Sequence, residues 1–372
     1  MNPPNGALAA EATAALIDAV AECLASFVSD HITRLSTLDV DVARFAGLAG
    51  DAVLFGGKRL RPVFAYWGWR GAAGAGDRVA DVVPALAALE MLHGFALVHD
   101  DVMDESPFRR GRPSVHAAFT ARQRVVAPPA TAERFGRNAA ILAGDLCLVW
   151  ADELLARAAV PGDTILRARA VYDRMREETI VGQYLDVLGE ASTEWSLGRA
   201  MRVNLLKTAA YSVVRPLHFG AALAGAECWS ERPEALTGDP LTDAYTRYGV
   251  AVGEAFQLRD DLLDAYGDPA ATGKPAGDDL ARGRPTVLLE LARRRATAGL
   301  RAEIERELST GAPADTARLG VLLTETGAPA QVEKMIKGRT LAALAALENM
   351  PVDPTVRTAL AHLAVAAGDR VV

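Results

Sequence analysis

Apolar residues return at spacings of three and four along most of this chain, while the strict alternation of a half-buried strand is scarce. Carried on segments rich in Ala, Leu, Glu and Arg, that periodicity commits the sequence to helices. It predicts helices over 8–36, 58–70, 79–104, 136–158, 162–189, 193–224, 239–266, 284–308, 314–325, 328–349 and 353–367. The breakers between them are Gly71 to Gly76, Ala127-Pro128-Pro129, Ser230 to Pro240 and Gly267 to Pro285, none long or polar enough to read as an interdomain linker. No internal repeat is visible. Half of the 372 residues are hydrophobic, ample for one large core. The expectation is therefore an all-α, single-domain helical bundle over 1–372, with residues 1–6 disordered and 121–137 an insertion loop of no assigned role.

A formal net charge of -7, from 40 basic and 47 acidic residues, gives no general electrostatic reason to bind nucleic acid or an anionic membrane surface. Any anion site must be local. Cys23, Cys147 and Cys228 lack CxxC spacing, so neither a disulfide framework nor a zinc site is readable, and a reducing cytoplasm fits. No basic stretch precedes an apolar run near residue 1, so no secretory signal is expected. Apolar runs such as Ala85 to Val98 are broken by Glu90 and His93 and fall short of the roughly 20 residues a bilayer span needs, so no integral membrane segment is expected.

One short pattern recurs far apart. Asp100-Asp101-Val102-Met103-Asp104 ends the apolar helix through Leu86, Leu89 and Leu92, and Asp260-Asp261-Leu262-Leu263-Asp264 ends the helix through Val250, Val252 and Leu258. Residues i and i+4 share a helix face, so Asp100 projects with Asp104, and Asp260 with Asp264. Pro107 and Gly267 mark both positions as helix C-termini, where the macrodipole and neighbouring like charges disfavour carboxylates. A divalent cation reverses both penalties. Magnesium suits such a site, because it takes a few carboxylates and completes its shell with water and substrate phosphate. One isolated copy reads more readily as a solvated helix end; two copies, each followed by basic residues, favour metal binding.

The basic residues near these clusters suit phosphate. Arg109-Arg110-Gly111 follows the first cluster, and guanidinium forks fit phosphate oxygens, although an arginine pair in a loop is often only solvated. Lys58 and Arg61, within Gly56-Gly57-Lys58-Arg59-Leu60-Arg61-Pro62, open a helix, where backbone N–H groups attract anions. Gly273-Lys274 and Gly283-Arg284 lie in a small-residue loop able to close over phosphate, or else in a plain surface loop. Lys207-Thr208 sits in the apolar segment Val203 to Val214 and should have an anionic partner. His93, alone in an apolar helix, reads by itself as a hydrogen-bonded core residue.

Taken together, GGKRLRP, LVHDDVMD with RRGRP, GDLCL, GQYLD, LKT, FQLRDDLLD and GDPAATGKPAGDDLARGRPT cover nearly the whole chain, in order. This set resembles the all-trans polyprenyl diphosphate synthases of the short-chain geranylgeranyl and farnesyl type. The resemblance implies a helical bundle of the isoprenoid synthase type around a central cavity, and a homodimer. It implies that Asp100, Asp104 and Asp260, with Asp101, Asp261 and Asp264 near, hold magnesium on an allylic diphosphate. It further implies that Arg109, Lys207, Thr208, Gln257 and Lys274 contact that substrate, while Lys58, Arg61, His93 and Arg110 bind isopentenyl diphosphate. Arg284 departs from the family's usual lysine, which leaves its geometry inequivalent.

The chemistry so implied is loss of pyrophosphate from the allylic substrate in a water-free site, attack by the isopentenyl double bond on the allylic cation, and loss of a proton. Asp100, Asp104, Asp260, Lys207 and Gln257 would carry it. The two aspartate-tipped helices are expected to meet across the cavity. The growing tail is expected to run along the helix that ends in Asp100, with Phe95 as its floor about 7 to 8 Å down the axis, Ala96 beside it and Leu92 deeper. Ordinary helix packing is the competing account of Phe95. A geranylgeranyl product is favoured over farnesyl; a non-catalytic partner subunit and a class I terpene cyclase are the alternatives from other classes.

Overall fold

The computed structural model describes residues 5–73, 78–191, 195–228, 230–267, 277–309 and 315–369. The helices are α1 (Asn5–Ser36), α2 (Val40–Leu54), α3 (Leu60–Ala73), α4 (Val79–Met103), α5 (Val115–Gln123), α6 (Pro129–Ala156), α7 (Gly162–Glu190), α8 (Leu197–Val203) and α9 (Arg215–Leu223). They continue as α10 (Pro240–Tyr266), α11 (Asp278–Ala281), α12 (Val287–Arg295), α13 (Ala298–Leu308), α14 (Thr316–Glu325), α15 (Ala328–Glu348) and α16 (Pro354–Gly368). Between α8 and α9 the backbone is π-helical over Asn204–Val214. The chain is all-α; among the described residues the exception is a hairpin of β1 (Phe108–Arg109) and β2 (Arg112–Pro113).

By contact the chain divides into two compact units. One, the C-terminal unit, comprises Met1–Ala9, Trp67–Gly74 and Leu166–Val372, and the other, the N-terminal unit, comprises Ala10–Tyr66 and Ala75–Ile165. In the N-terminal unit α4 is buried almost all round from Val82 to Leu92, as a helix apolar on every face must be, and packs chiefly on α6. In the C-terminal unit α10 packs on the π-helical stretch and on α15, and a second core gathers Leu258, Leu262, Leu288, Leu322 and Ile336.

Local chemistry sets most boundaries. Asp239 caps α10 by accepting from the Thr242 N–H at 2.7 Å, with Pro240 at the first helical position. Thr297 caps α13 and splits the helix expected over 284–308 in two. Three helices were not expected: α2, α5 and the four-residue α11, which lies in the stretch Gly267 to Pro285 read as a breaker. α2 carries Gly47, Gly50 and β-branched valines, poor helix formers; burial of Ala46, Ala49 and Val53 overrides propensity, and Gly50 is needed because a Cβ there would stand 2.4 Å from Val28. α5 is nine residues long and held by buried Val115, Phe119 and Thr120.

The insertion loop expected over 121–137 is corrected. α5 runs to Gln123 and α6 begins at Pro129, so only 124–128 lie outside helix. The turn is tied by Arg124 donating to Glu133 at 2.8 Å. Asn5 and Gly6, expected to be disordered, open α1; residues 1–4 lie outside the described residues. α1 and α4 are also each long and apolar enough to cross a membrane by length and composition, contrary to the expectation drawn from short runs. In α4 that apolar stretch is 67% buried inside the protein, and α1 buries a stripe at helical spacing through Leu16, Val20, Leu24 and Phe27.

Candidate active site

Each acidic cluster lies in its own unit, Asp100–Asp104 in the N-terminal one and Asp260–Asp264 in the C-terminal one. At the end of α4, Asp101 and Asp104 are buried and Asp100 is half-buried. The hairpin after α4 brings Arg109 back onto them: its Nε donates to Asp101 Oδ1 at 2.8 Å and its Nη2 to Asp100 Oδ2 at 3.2 Å. Burial works against the Arg109 charge, but Asp101, Asp100 and Asp104 outweigh it and hold its proton more firmly than usual. The hairpin is a two-residue loop with both central residues at positive φ, Arg110 at 53° and Gly111 at 72°, which is the geometry that matches strand twist. A non-glycine residue in that conformation is strained, and Arg110 is held there by donating to the Phe55 carbonyl at 2.9 Å.

Phe55 leads into Gly56 and Gly57, where the Arg110 side chain lies 2.9 Å from where a Cβ on Gly57 would stand. Next comes Arg59, missed from the sequence. It is buried at φ 50°, and its guanidinium donates to the Val53 carbonyl at 2.8 Å and to Glu90 Oε2 on α4 at 2.9 Å. The pair fixes the loop that carries exposed Lys58 and leads into α3, where Arg61 is half-buried. One turn after Glu90, His93 is held neutral, its pKa far below the ordinary value because of burial and then the fields of Arg61, Arg110, Arg109 and Arg59. Of the residues expected to bind isopentenyl diphosphate, Arg61, His93 and Arg110 thus share one electropositive surround.

Towards α6, the Phe95 ring meets His99 edge-on at 4.8 Å between centroids. His99 Nε2 lies 2.9 Å from the Ile141 carbonyl and against Gly144, where a Cβ would stand 2.4 Å away. Ala96 is half-buried and Leu92 buried on the same helix.

In the C-terminal unit, a pocket of about 60 Å³ gathers Lys207, Thr208, Gln257, Asp261 and Arg284, all singled out from the sequence, with Asp186, Asp279 and Trp195, which were not. Lys207 has the anionic partner its apolar segment demanded: Nζ donates to Asp186 at 2.7 Å. Gly182 lets α7 approach, since a Cβ there would stand 2.6 Å from the Lys207 amide nitrogen. Gly182 and Asp186 are the ends of GQYLD, the signal through which Asp186 was findable. Thr208 donates to Gln257 Oε1 at 2.6 Å, and Gln257 Nε2 donates to Asp261 Oδ1 at 2.8 Å. Lys207 and Thr208 both lie in the π-helical stretch, a rare backbone form that recurs at functional sites.

Asp261 is buried, and burial pushes its pKa well above the usual carboxylate range. Asp264 Oδ2 accepts from the Asp279 N–H at 3.1 Å; Asp260 is exposed. Arg284 pairs with Glu190 at 2.7 Å and with Asp279 at 3.0 Å. Asp279 itself has its pKa raised by burial, against the lowering field of Arg284. Lys274 lies outside the described residues.

The donors present fit magnesium. Carboxylate oxygens are the hard ligands it takes, and Asp261 Oδ2 is buried with no hydrogen-bond partner. Among the described residues no three acidic, histidine or cysteine side chains converge as a ready-made cage.

An all-helical chain with two such clusters, each beside arginine or lysine, defines a diphosphate-handling class. The polyprenyl synthetase family model matches residues 45–322, well over half of the chain. A crystal structure of geranylgeranyl pyrophosphate synthase from Corynebacterium glutamicum, complexed with isoprenyl diphosphate and magnesium, is similar with a TM-score of 0.87 and 37% identity, over 95% of this chain and 98% of that one. Geranylgeranyl diphosphate synthase of Mycobacterium tuberculosis is 30% identical over 90% of this chain and 84% of its own length. An all-trans-nonaprenyl-diphosphate synthase of Rhodobacter capsulatus is also 30% identical, over 93% of each. The chain belongs to the polyprenyl synthetase family. Within it the protein is a prenyltransferase, a trans-prenyl diphosphate synthase.

Proposed function

We propose that this protein condenses isopentenyl diphosphate with dimethylallyl, geranyl and farnesyl diphosphates and releases mainly geranylgeranyl diphosphate. The observation that carries the reading is the chain Thr208–Gln257–Asp261 beside Lys207 in one pocket, matched in the other unit by Arg109 on Asp100 and Asp101. Asp100, Asp104, Asp260 and Asp264, with Asp101 and Asp261, would hold magnesium. When bound, that metal supplies neutralisation of the diphosphate oxygens as the pyrophosphate departs. Arg109 and Lys207 are cations for the same leaving group, and the Gln257 amide oxygen offers its dipole to the allylic cation. His93, neutral among arginines, remains a hydrogen-bonding group for isopentenyl diphosphate and adds no charge. The reading requires both clusters to act on one allylic diphosphate.

Product length rests on Phe95. Its ring is backed by His99, which α6 holds through Ile141 and Gly144, so the side chain is a fixed stop for a tail passing Ala96, with Leu92 beyond it. Phe95→Ala should lengthen the product; an unchanged product spectrum by chromatography removes Phe95 from this role. A cytoplasmic homodimer completes the proposal. Exposed Phe135, Leu142 and Val149, seven residues apart on α6, form an apolar stripe that a second copy would cover, and light scattering after gel filtration tests it.

The deciding experiment incubates the purified chain with isopentenyl diphosphate, magnesium and each of the three allylic primers, followed by product sizing. Geranylgeranyl diphosphate is the expected product. A farnesyl product revises the length, a cyclic hydrocarbon replaces synthase by cyclase chemistry, and no consumption of isopentenyl diphosphate by the chain alone makes it a partner subunit.

A further inference from the structure

The end of α7 repeats the electrostatic cost met at both acidic clusters. Asp186 and Glu190 stand one turn apart on one face of that helix, with Glu190 as its last residue, so like charges adjoin where the macrodipole is already negative. Each holds a cation. Lys207 Nζ donates to Asp186 at 2.7 Å, and Arg284 Nε donates to Glu190 at 2.7 Å. The two carboxylates differ in place: Asp186, Lys207 and Arg284 line the pocket of about 60 Å³, whereas Glu190 lines a separate cavity of about 570 Å³ with Arg282 and Arg293.

The backbone around Arg284 is fixed without Glu190. The Arg284 N–H donates to the Asp279 carbonyl at 2.9 Å, the Thr286 N–H to the Arg284 carbonyl at 2.8 Å, and Trp195 Nε1 to the Pro285 carbonyl at 3.1 Å. Gly189 makes room for that clasp, since a Cβ there would stand 2.9 Å from both Pro285 and Trp195. What Glu190 adds is the direction of the side chain. Arg284 is 12% exposed, and its Nη1 donates to Asp279 Oδ1 on α11 at 3.0 Å. With carboxylates from two different helices on Nε and Nη1, the planar guanidinium has one orientation; held by Asp279 alone, it swings about that single contact.

We propose that Glu190 is a positioning residue for prenyl transfer, which sets the Arg284 guanidinium towards the allylic diphosphate from outside the pocket. Its carboxylate acts through Arg284 and not on the substrate. The proposal rests on the reading above that this diphosphate lies beside Lys207.

The test is a double-mutant cycle on the full chain, read as the KM for each substrate in turn with the other saturating and magnesium present. Glu190→Gln keeps the size of the side chain and removes its charge. It should raise the KM for geranyl diphosphate about tenfold, the weight of one charge-assisted hydrogen bond at the diphosphate, and leave the KM for isopentenyl diphosphate unchanged. In Arg284→Gln and Arg284→Lys, each of which itself raises the allylic KM, the same Glu190→Gln change should add less than about twofold, because no guanidinium remains to be set. Circular dichroism checks each fold, and one folded Arg284 variant is enough for the cycle. Glu190→Asp, shorter by one methylene, takes the place of Glu190→Gln if that variant does not fold. An allylic KM that Glu190→Gln leaves unchanged, an equal rise in KM for both substrates, or an equal effect in every background overturns the positioning role alone. An unchanged allylic KM in the Arg284 variants overturns the reading that places the diphosphate beside that pocket, and the positioning role falls with it.

Discussion

Two stretches of this protein spell Asp-Asp-x-x-Asp at a helix end, and the chain compensates them in opposite ways. At the end of α4 a cation does it, with Arg109 reaching Asp101 at 2.8 Å and Asp100 at 3.2 Å. At the end of α10 the partner of Asp261 is a neutral amide, Gln257, itself positioned by Thr208, and burial pushes the Asp261 pKa well up. Among the described residues, Lys207 and Arg284 line the same pocket as Asp261 and pair with Asp186, Glu190 and Asp279. The motif therefore sets the kind of donor atom, while neighbours set its charge. One cluster already carries a cation on two of its three carboxylates; the other holds a buried carboxyl whose pKa burial raises, a shift that a bound cation would oppose.

If both clusters nonetheless serve one leaving group, Asp100→Ala and Asp260→Ala should each lower turnover by about a thousandfold with the fold intact. Radiolabelled product formation beside circular dichroism measures this, and near-normal activity in either variant ends the equivalence. The next effect separates them. Arg109→Gln leaves Asp100 and Asp101 facing each other and should cost about 2–3 kcal/mol by urea denaturation in chelator, less than a fully buried pair because Arg109 is 19% exposed. Gln257→Ala removes only neutral hydrogen bonds and should cost about 1 kcal/mol. Millimolar magnesium should restore more stability to Arg109→Gln than to Gln257→Ala. Equal losses and equal rescue would erase the contrast.

Both clusters were legible in the sequence because an acidic run at the end of an apolar helix is costly without a cation. Lys207 was legible for the same reason, as a charge that an apolar face cannot leave unpaired. Arg59 was not: beside Lys58 it reads as one more solvated cation, and only the loop at φ 50° turns it inward. The available signal was Glu90, an acid in the middle of a core helix, which needs a buried partner. The π-helical stretch was hidden because its side chains keep a helical pattern while the hydrogen-bond register changes. α2 escaped because Gly47 and Gly50 weaken its pattern and only packing on neighbours fixes it.

The smallest expected effect extends the contrast away from the clusters. In the C-terminal unit His218 on α9 also has a pKa shifted against its charged form: burial, then the field of Arg215, pushes it down to about 3. Thr246 Oγ1 lies 3.1 Å from its Nε2. An unfolded histidine takes a proton near pH 6.5, the folded one does not, so this contribution is intact above that pH and is lost as pH falls towards the folded value. Between pH 7 and 5.5 the wild type should lose about 1.4 kcal/mol more stability than His218→Gln, which keeps a hydrogen-bonding group for Thr246. Urea denaturation at the two pH values measures the difference. Parallel losses in the two proteins would mean that His218 takes up its proton without unfolding, and that burial does not hold it neutral.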